Sequence, residues 1–111
     1  MNRYVGFIAL SNAVDDFPDS GGLYTKPKID RKTILEAEFV VIPSMEMEEC
    51  FYEKGGYIPE ELAGKGYFEW LEAPMVRAVI SNKLSHVPGA STAEIVDAMF
   101  YYLEYDTFKH M

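Results

Sequence analysis

The chain has 111 residues, a formal net charge of −8, an apolar share of 49% and one cysteine. That is the size of a single domain, spanning 1–111, with enough apolar and aromatic bulk for a core without metals or disulfides, and it excludes wholesale disorder and a disulfide-held scaffold. No apolar run nears the roughly 20 residues of a membrane span, no secretory leader is legible, and Cys50 has no internal partner, so a cytoplasmic protein is expected.

The first segment, 3–14, is a run of apolar residues. Tyr4, Ile8 and the Val5/Leu10/Val14 positions allow a helix with an apolar stripe, whereas Gly6 and the aromatics also suit a strand. The reading favours a helix that ends before the turn-rich stretch from Asp15 to Gly22. Leu23 to Lys26 reads as a short strand closed by Pro27. Ala37 to Ile42 is the strongest strand signal, a β-branched and aromatic run bounded by Pro43. It lacks polar alternation, so both its faces should be covered. Met45 to Lys54 is expected as a short helix stopped by Gly55-Gly56, and Pro59 to Ala63 as one helical turn. Tyr67 to Leu71 alternates and reads as a third strand.

Pro74 to Ser85 carries Met75, Val76, Val79, Ile80 and Leu84 on one stripe and reads as a helix ended by His86-Val87-Pro88-Gly89. Ser91-Thr92-Ala93-Glu94 then matches a capping box, and the stretch to about Tyr105 places Ile95, Met99 and Leu103 on one face. The order predicts an α+β fold: a small, mostly antiparallel sheet of three to four strands, with an N-terminal helix and two C-terminal helices packed on it.

The charge is unevenly spread. Residues 36–72 hold ten glutamates against Lys54 and Lys65, a net −8, while the two flanking thirds nearly balance. Such a stretch repels nucleic acid and anionic membrane and attracts a basic surface; its bland reading is solubility.

Motifs for chemistry are sparse. Cys50 sits among Glu46, Glu48, Glu49 and Glu53, whose charge disfavours the reactive thiolate. His86 and His110 do not make a ligand set, and no zinc or calcium-loop spacing occurs. Gly64-Lys65-Gly66 lacks the strand-to-helix syntax of a phosphate cradle. No catalytic residue, metal or cofactor is therefore assigned, although the glutamates by count leave a small metal-assisted hydrolase as one alternative. Tyr52 and Tyr57 lie within the acidic segment. They could sit half-buried at loop bases, or act as an inhibitor of a basic protein uses such rings, to supply contact area while carboxylates steer and pair. The candidate partner-binding residues are Glu46, Glu48, Glu49, Tyr52, Glu53, Tyr57, Glu60 and Glu61.

The C-terminal stretch supplies a resemblance. Ala98, Tyr101, Tyr102, Asp106 and Phe108 form an AxxYYxxxDxF pattern, and Leu23-Tyr24 follows Asp19-Ser20-Gly21-Gly22. Together these resemble immunity proteins of bacterial contact-dependent growth inhibition systems. The resemblance implies a protein that binds and neutralises a cognate toxin domain, often a nuclease; the acidic charge adds the expectation that this domain is basic, an RNase rather than a DNase, bound by a monomer in a 1:1 complex. It carries over no binding residue. The alternative is an acidic adaptor or nucleic-acid mimic that occupies another basic protein.

Overall fold

The structure, a computed structural model, describes residues 1–47 and 49–105, so Glu48 of the candidate site, and Asp106, Phe108 and His110, lie outside the described residues. In chain order the elements are β1 (Asn2–Val5), α1 (Phe7–Asn12), β2 (Gly21–Lys26), β3 (Glu38–Pro43), β4 (Cys50–Glu53), β5 (Gly56–Pro59), β6 (Phe68–Glu72), α2 (Ala73–His86) and α3 (Thr92–Tyr105). Short 3-10 turns occupy Val14–Asp16, Ser44–Glu46 and Glu60–Leu62. Four strands form an antiparallel sheet in the order β1-β3-β2-β6, and β4 and β5 form a separate hairpin. The α+β class, the N-terminal helix and the two C-terminal helices agree with the sequence.

The non-alternating strand explains the layering. Phe39, Val40, Val41 and Ile42 of β3 are all buried, because both faces of the sheet are covered. Phe39 and Val41 turn toward the helices, into a core with Leu23, Phe7, Leu10, Ile80 and Met99. Val40 and Ile42 turn the other way and join Tyr24, Ile58, Leu62 and Tyr67 in a second, smaller cluster. The acidic middle of the chain builds that second layer: Ile58 of β5 and Leu62 of the following turn are its buried contributions.

Two segments depart from expectation. Residues 3–14 are not one helix. Asn2–Val5 pairs as an edge strand with β3, from Asn2 opposite Val41 to Val5 opposite Glu38, and a six-residue helix follows. Gly6 separates them at φ +86, and a Cβ there would lie 2.7 Å from the Leu35 carbonyl oxygen. An apolar run of this length serves strand and helix equally, and backbone pairing with the strong β3 decides the first half.

Nor is Met45–Lys54 a helix. Ser44–Glu46 is a 3-10 turn and Cys50–Glu53 a strand, joined to β5 by a two-residue loop at Lys54-Gly55. Phe51 and Tyr52 suit the pleat, and the glycines read as a helix stop instead make the hairpin reversal. Gly55 is sterically required: its carbonyl accepts from the Glu69 amide at 2.9 Å, and a Cβ there would lie 2.2 Å from the Tyr67 carbonyl oxygen.

The C-terminal helices follow the sequence closely. The capping box closes reciprocally: the Glu94 amide donates to Ser91 Oγ at 3.2 Å and the Ser91 amide to Glu94 Oε1 at 3.1 Å. These bonds hold the Glu94 carboxyl below its ordinary range. On α2 the buried stripe is Ala73, Val76, Val79, Ile80 and Lys83, with Leu84 exposed instead. The loop before β3 is fixed by Asp30, whose carboxylate accepts from the Lys32 and Thr33 amides at 2.7 Å each, bonds that lower its pKa.

Candidate functional site

The hairpin sorts its side chains by strand alternation. Tyr52 lies opposite Tyr57, and the two rings stack at 4.6 Å between centroids with 24° between their planes. Ile58, one position on, turns inward and is fully buried. The tyrosines therefore face outward: Tyr52 is 85% exposed and Tyr57 45%. Of the two readings from sequence, half-burial at a loop base fails for Tyr52. Exposed Met45 and Phe51 add to the apolar area of this layer.

The candidate carboxylates divide. Glu49 and Glu60 are exposed and make no ion pair among the described residues. Their backbones are joined by the Glu60 amide donating to the Glu49 carbonyl at 2.8 Å, so two exposed acids flank the open end of the hairpin. Like charges so placed disfavour the hairpin and favour a cation brought from outside. Glu46 instead pairs with the N-terminal ammonium at 2.8 Å. Glu53 turns to the chain itself, accepting from the Gly64 amide at 2.7 Å. Glu61 is half-buried, and its Oε2 is enclosed without a hydrogen-bond partner. The structure thus places Tyr52 and Tyr57 on the outer side of the hairpin and leaves Glu49 and Glu60 exposed at its open end, while Glu46 and Glu53 are taken up by internal contacts and Glu61 is half-buried.

Sequence reasoning missed a cavity beside this layer. Opposite β2, β6 carries one extra residue: Gly22 faces Glu72, yet Tyr24 faces Glu69. A cavity of about 260 Å³ opens at this bulge, lined by Asp19, Glu69 and Glu72, by Ser20 and Ser44, and by Tyr24. No lysine, arginine or histidine lines it. The serine hydroxyls share a hydrogen bond of 2.7 Å. Nothing in the alternation of Tyr67 to Leu71 signals the bulge, which places Glu69 and Glu72, three positions apart, along one cavity.

The same acids shape the local titration. The Tyr24 phenol is pushed up to about 12, chiefly by burial and further by Cys50, Glu69 and Glu61. The Cys50 thiol is raised by burial and then by Glu61 and Glu69, which disfavours its reactive form; the direction is the one expected from sequence, but the cause is burial and these two acids and not the neighbours Glu46, Glu49 and Glu53. Among the described residues, no group of three or more His, Cys, Asp or Glu is placed to hold a metal ion, and no helix is long and apolar enough to cross a membrane. No protein-family model, curated protein or solved structure matches the chain.

Proposed function

We propose that this protein is an inhibitor that docks on a basic protein, and that its partner is a cognate toxin domain of the contact-dependent growth inhibition kind, with a nuclease, in particular an RNase, as the best fit. The observation that carries the reading is the outward-facing Tyr52–Tyr57 stack on a hairpin whose open end carries the exposed Glu49 and Glu60, neither of them in an ion pair among the described residues. Exposed tyrosines supply rigid contact area, and the carboxylates complement lysines and arginines that an RNA-cleaving surface must present to phosphates. The net −8 of residues 36–72 steers the encounter, and the resemblance of the C-terminal pattern to immunity proteins names the partner class.

The test begins with the neighbouring reading frames: a basic toxin domain found there is purified and its association kinetics with this chain are measured across a salt series. The on-rate should fall steeply with salt, and Glu49→Ala with Glu60→Ala should slow it. Co-expression should restore growth to cells that carry the toxin domain. A salt-independent on-rate, or no rescue, would remove the toxin-inhibitor reading. Equal affinity for several unrelated basic proteins would favour the adaptor alternative.

A further inference from the structure

We infer that a second cavity, at the border of the sheet, is a binding site for a small organic acid that joins one carboxylate to a flat apolar body. The site stands apart from the docking reading and needs no protein partner. Its volume is about 440 Å³, within the range of pockets that hold small molecules. Four parts of the chain meet around it: the end of β2 with the loop that follows, the tip of the β4–β5 hairpin, β6, and the last turn of α3. Its walls are apolar, built by Ile29, Phe68, Trp70 and Leu103. Trp70 also packs on Phe39, with 5.7 Å between ring centroids, so its ring is held in place without a ligand. Such walls favour a flat ring, and inorganic phosphate would leave them wet.

Charge selects the other end of the ligand. Lys28 comes from the loop and Lys54 from the hairpin tip, and both line the cavity. Both are exposed, and neither is in an ion pair among the described residues. The third charged lining residue is Glu69, whose Oε1 already accepts from the Tyr57 amide at 3.4 Å. Two ammonium groups against one carboxylate leave the lining at +1 in a chain of net −8. One negative charge on a ligand balances that lining, whereas a cation gains no net attraction from it. Thr25 gives an independent indication. It is 1% exposed and lines the cavity, and its hydroxyl has no hydrogen-bond partner among the described residues. A buried hydroxyl left in this state is a cost, which a carboxylate oxygen relieves by accepting from it.

Trp70 is the only tryptophan of the chain, so its emission reports occupancy directly. Phenylacetate is titrated into the full ¹⁵N-labelled chain, beside its neutral amide and inorganic phosphate. A saturable change in emission is expected with phenylacetate, together with shifts at the Ile29 and Gly55 amides and the Trp70 indole. Phenylacetamide and phosphate should each bind at least about tenfold more weakly, the one for want of charge and the other for want of apolar contact. Lys28→Gln and Lys54→Gln should each weaken phenylacetate binding about two- to fivefold, the size of a solvent-facing ion pair. Lys32→Gln, at a lysine outside the lining, should leave it unchanged. Thr25→Val should weaken it about three- to tenfold while the melting temperature is kept, since the folded chain loses no hydrogen bond by the change. The exposed lysine variants keep the test decisive should Thr25→Val disturb the fold. Emission that never saturates, an amide that binds as well as the acid, or affinity indifferent to both Lys28→Gln and Lys54→Gln would overturn the site.

Discussion

The two faces of the central sheet are covered by layers of different build. On one face, α1, α2 and α3 enclose a large apolar cluster around Phe39, Val41 and Leu23. On the other, a four-residue-a-strand hairpin and a 3-10 turn cover only Tyr24, Val40, Ile42, Ile58, Leu62 and Tyr67. The helical face has area to spare for stability, whereas the hairpin face uses two aliphatic side chains, Ile58 and Leu62, to hold a surface crowded with acids. The difference separates tasks: one layer sets whether the chain folds, and the other presents charge and aromatic rings at the least apolar burial that keeps them in place.

The largest expected effect lies on the helical face. Phe39→Ala should cost about 3–5 kcal/mol in urea unfolding, with every spectroscopic probe moving together. On the opposite face Leu62→Ala should cost about 2–5 kcal/mol, but unevenly. Hydrogen exchange should speed up first at the β4–β5 amides while the α2 and α3 amides keep their protection. Uniform loss of protection would make the two layers one cooperative unit and dissolve the contrast. Tyr52→Ala should weaken partner binding by about 2 kcal/mol, as central interface tyrosines do, and change stability by less than about 0.5 kcal/mol. A stability loss that matches the affinity loss would make the ring stack a structural device instead.

The smallest effects belong to the helix start on the stable side. Ser91→Ala should cost about 1 kcal/mol by removing the cap of α3. Glu94 titrates below its ordinary range in the folded chain, so its contribution is present above the unfolded carboxyl value and fades as pH falls through the folded one. The difference in melting temperature between the native chain and Glu94→Gln should therefore shrink below about pH 4.

What could be read from the sequence follows the same division. The capping box at Ser91–Glu94 and the doubly buried strand Phe39–Ile42 rest on local rules, and both hold in the structure. The start of the chain and Met45–Lys54 do not, because their state is chosen by a partner strand: β3 recruits Asn2–Val5, and β5 recruits Cys50–Glu53. The candidate site was legible by type and only in part by place. Tyr52, Tyr57, Glu49 and Glu60 share the exposed hairpin, but composition could not say that Glu46 would meet the N-terminal ammonium or Glu53 the Gly64 amide. The cavity residues Tyr24, Glu69 and Glu72 were invisible as a group, since a bulge in register leaves no mark in hydropathy.

The contact of Gly55 with the Glu69 amide has a consequence for storage. A sheet that ends in a bare strand invites another copy to add itself there, and fibres grow that way. Here the hairpin tip is bonded to the β6 border at Glu69, and the opposite border is a mere four residues long and carries Arg3. Borders blocked in this manner disfavour edge-to-edge association between copies of the chain.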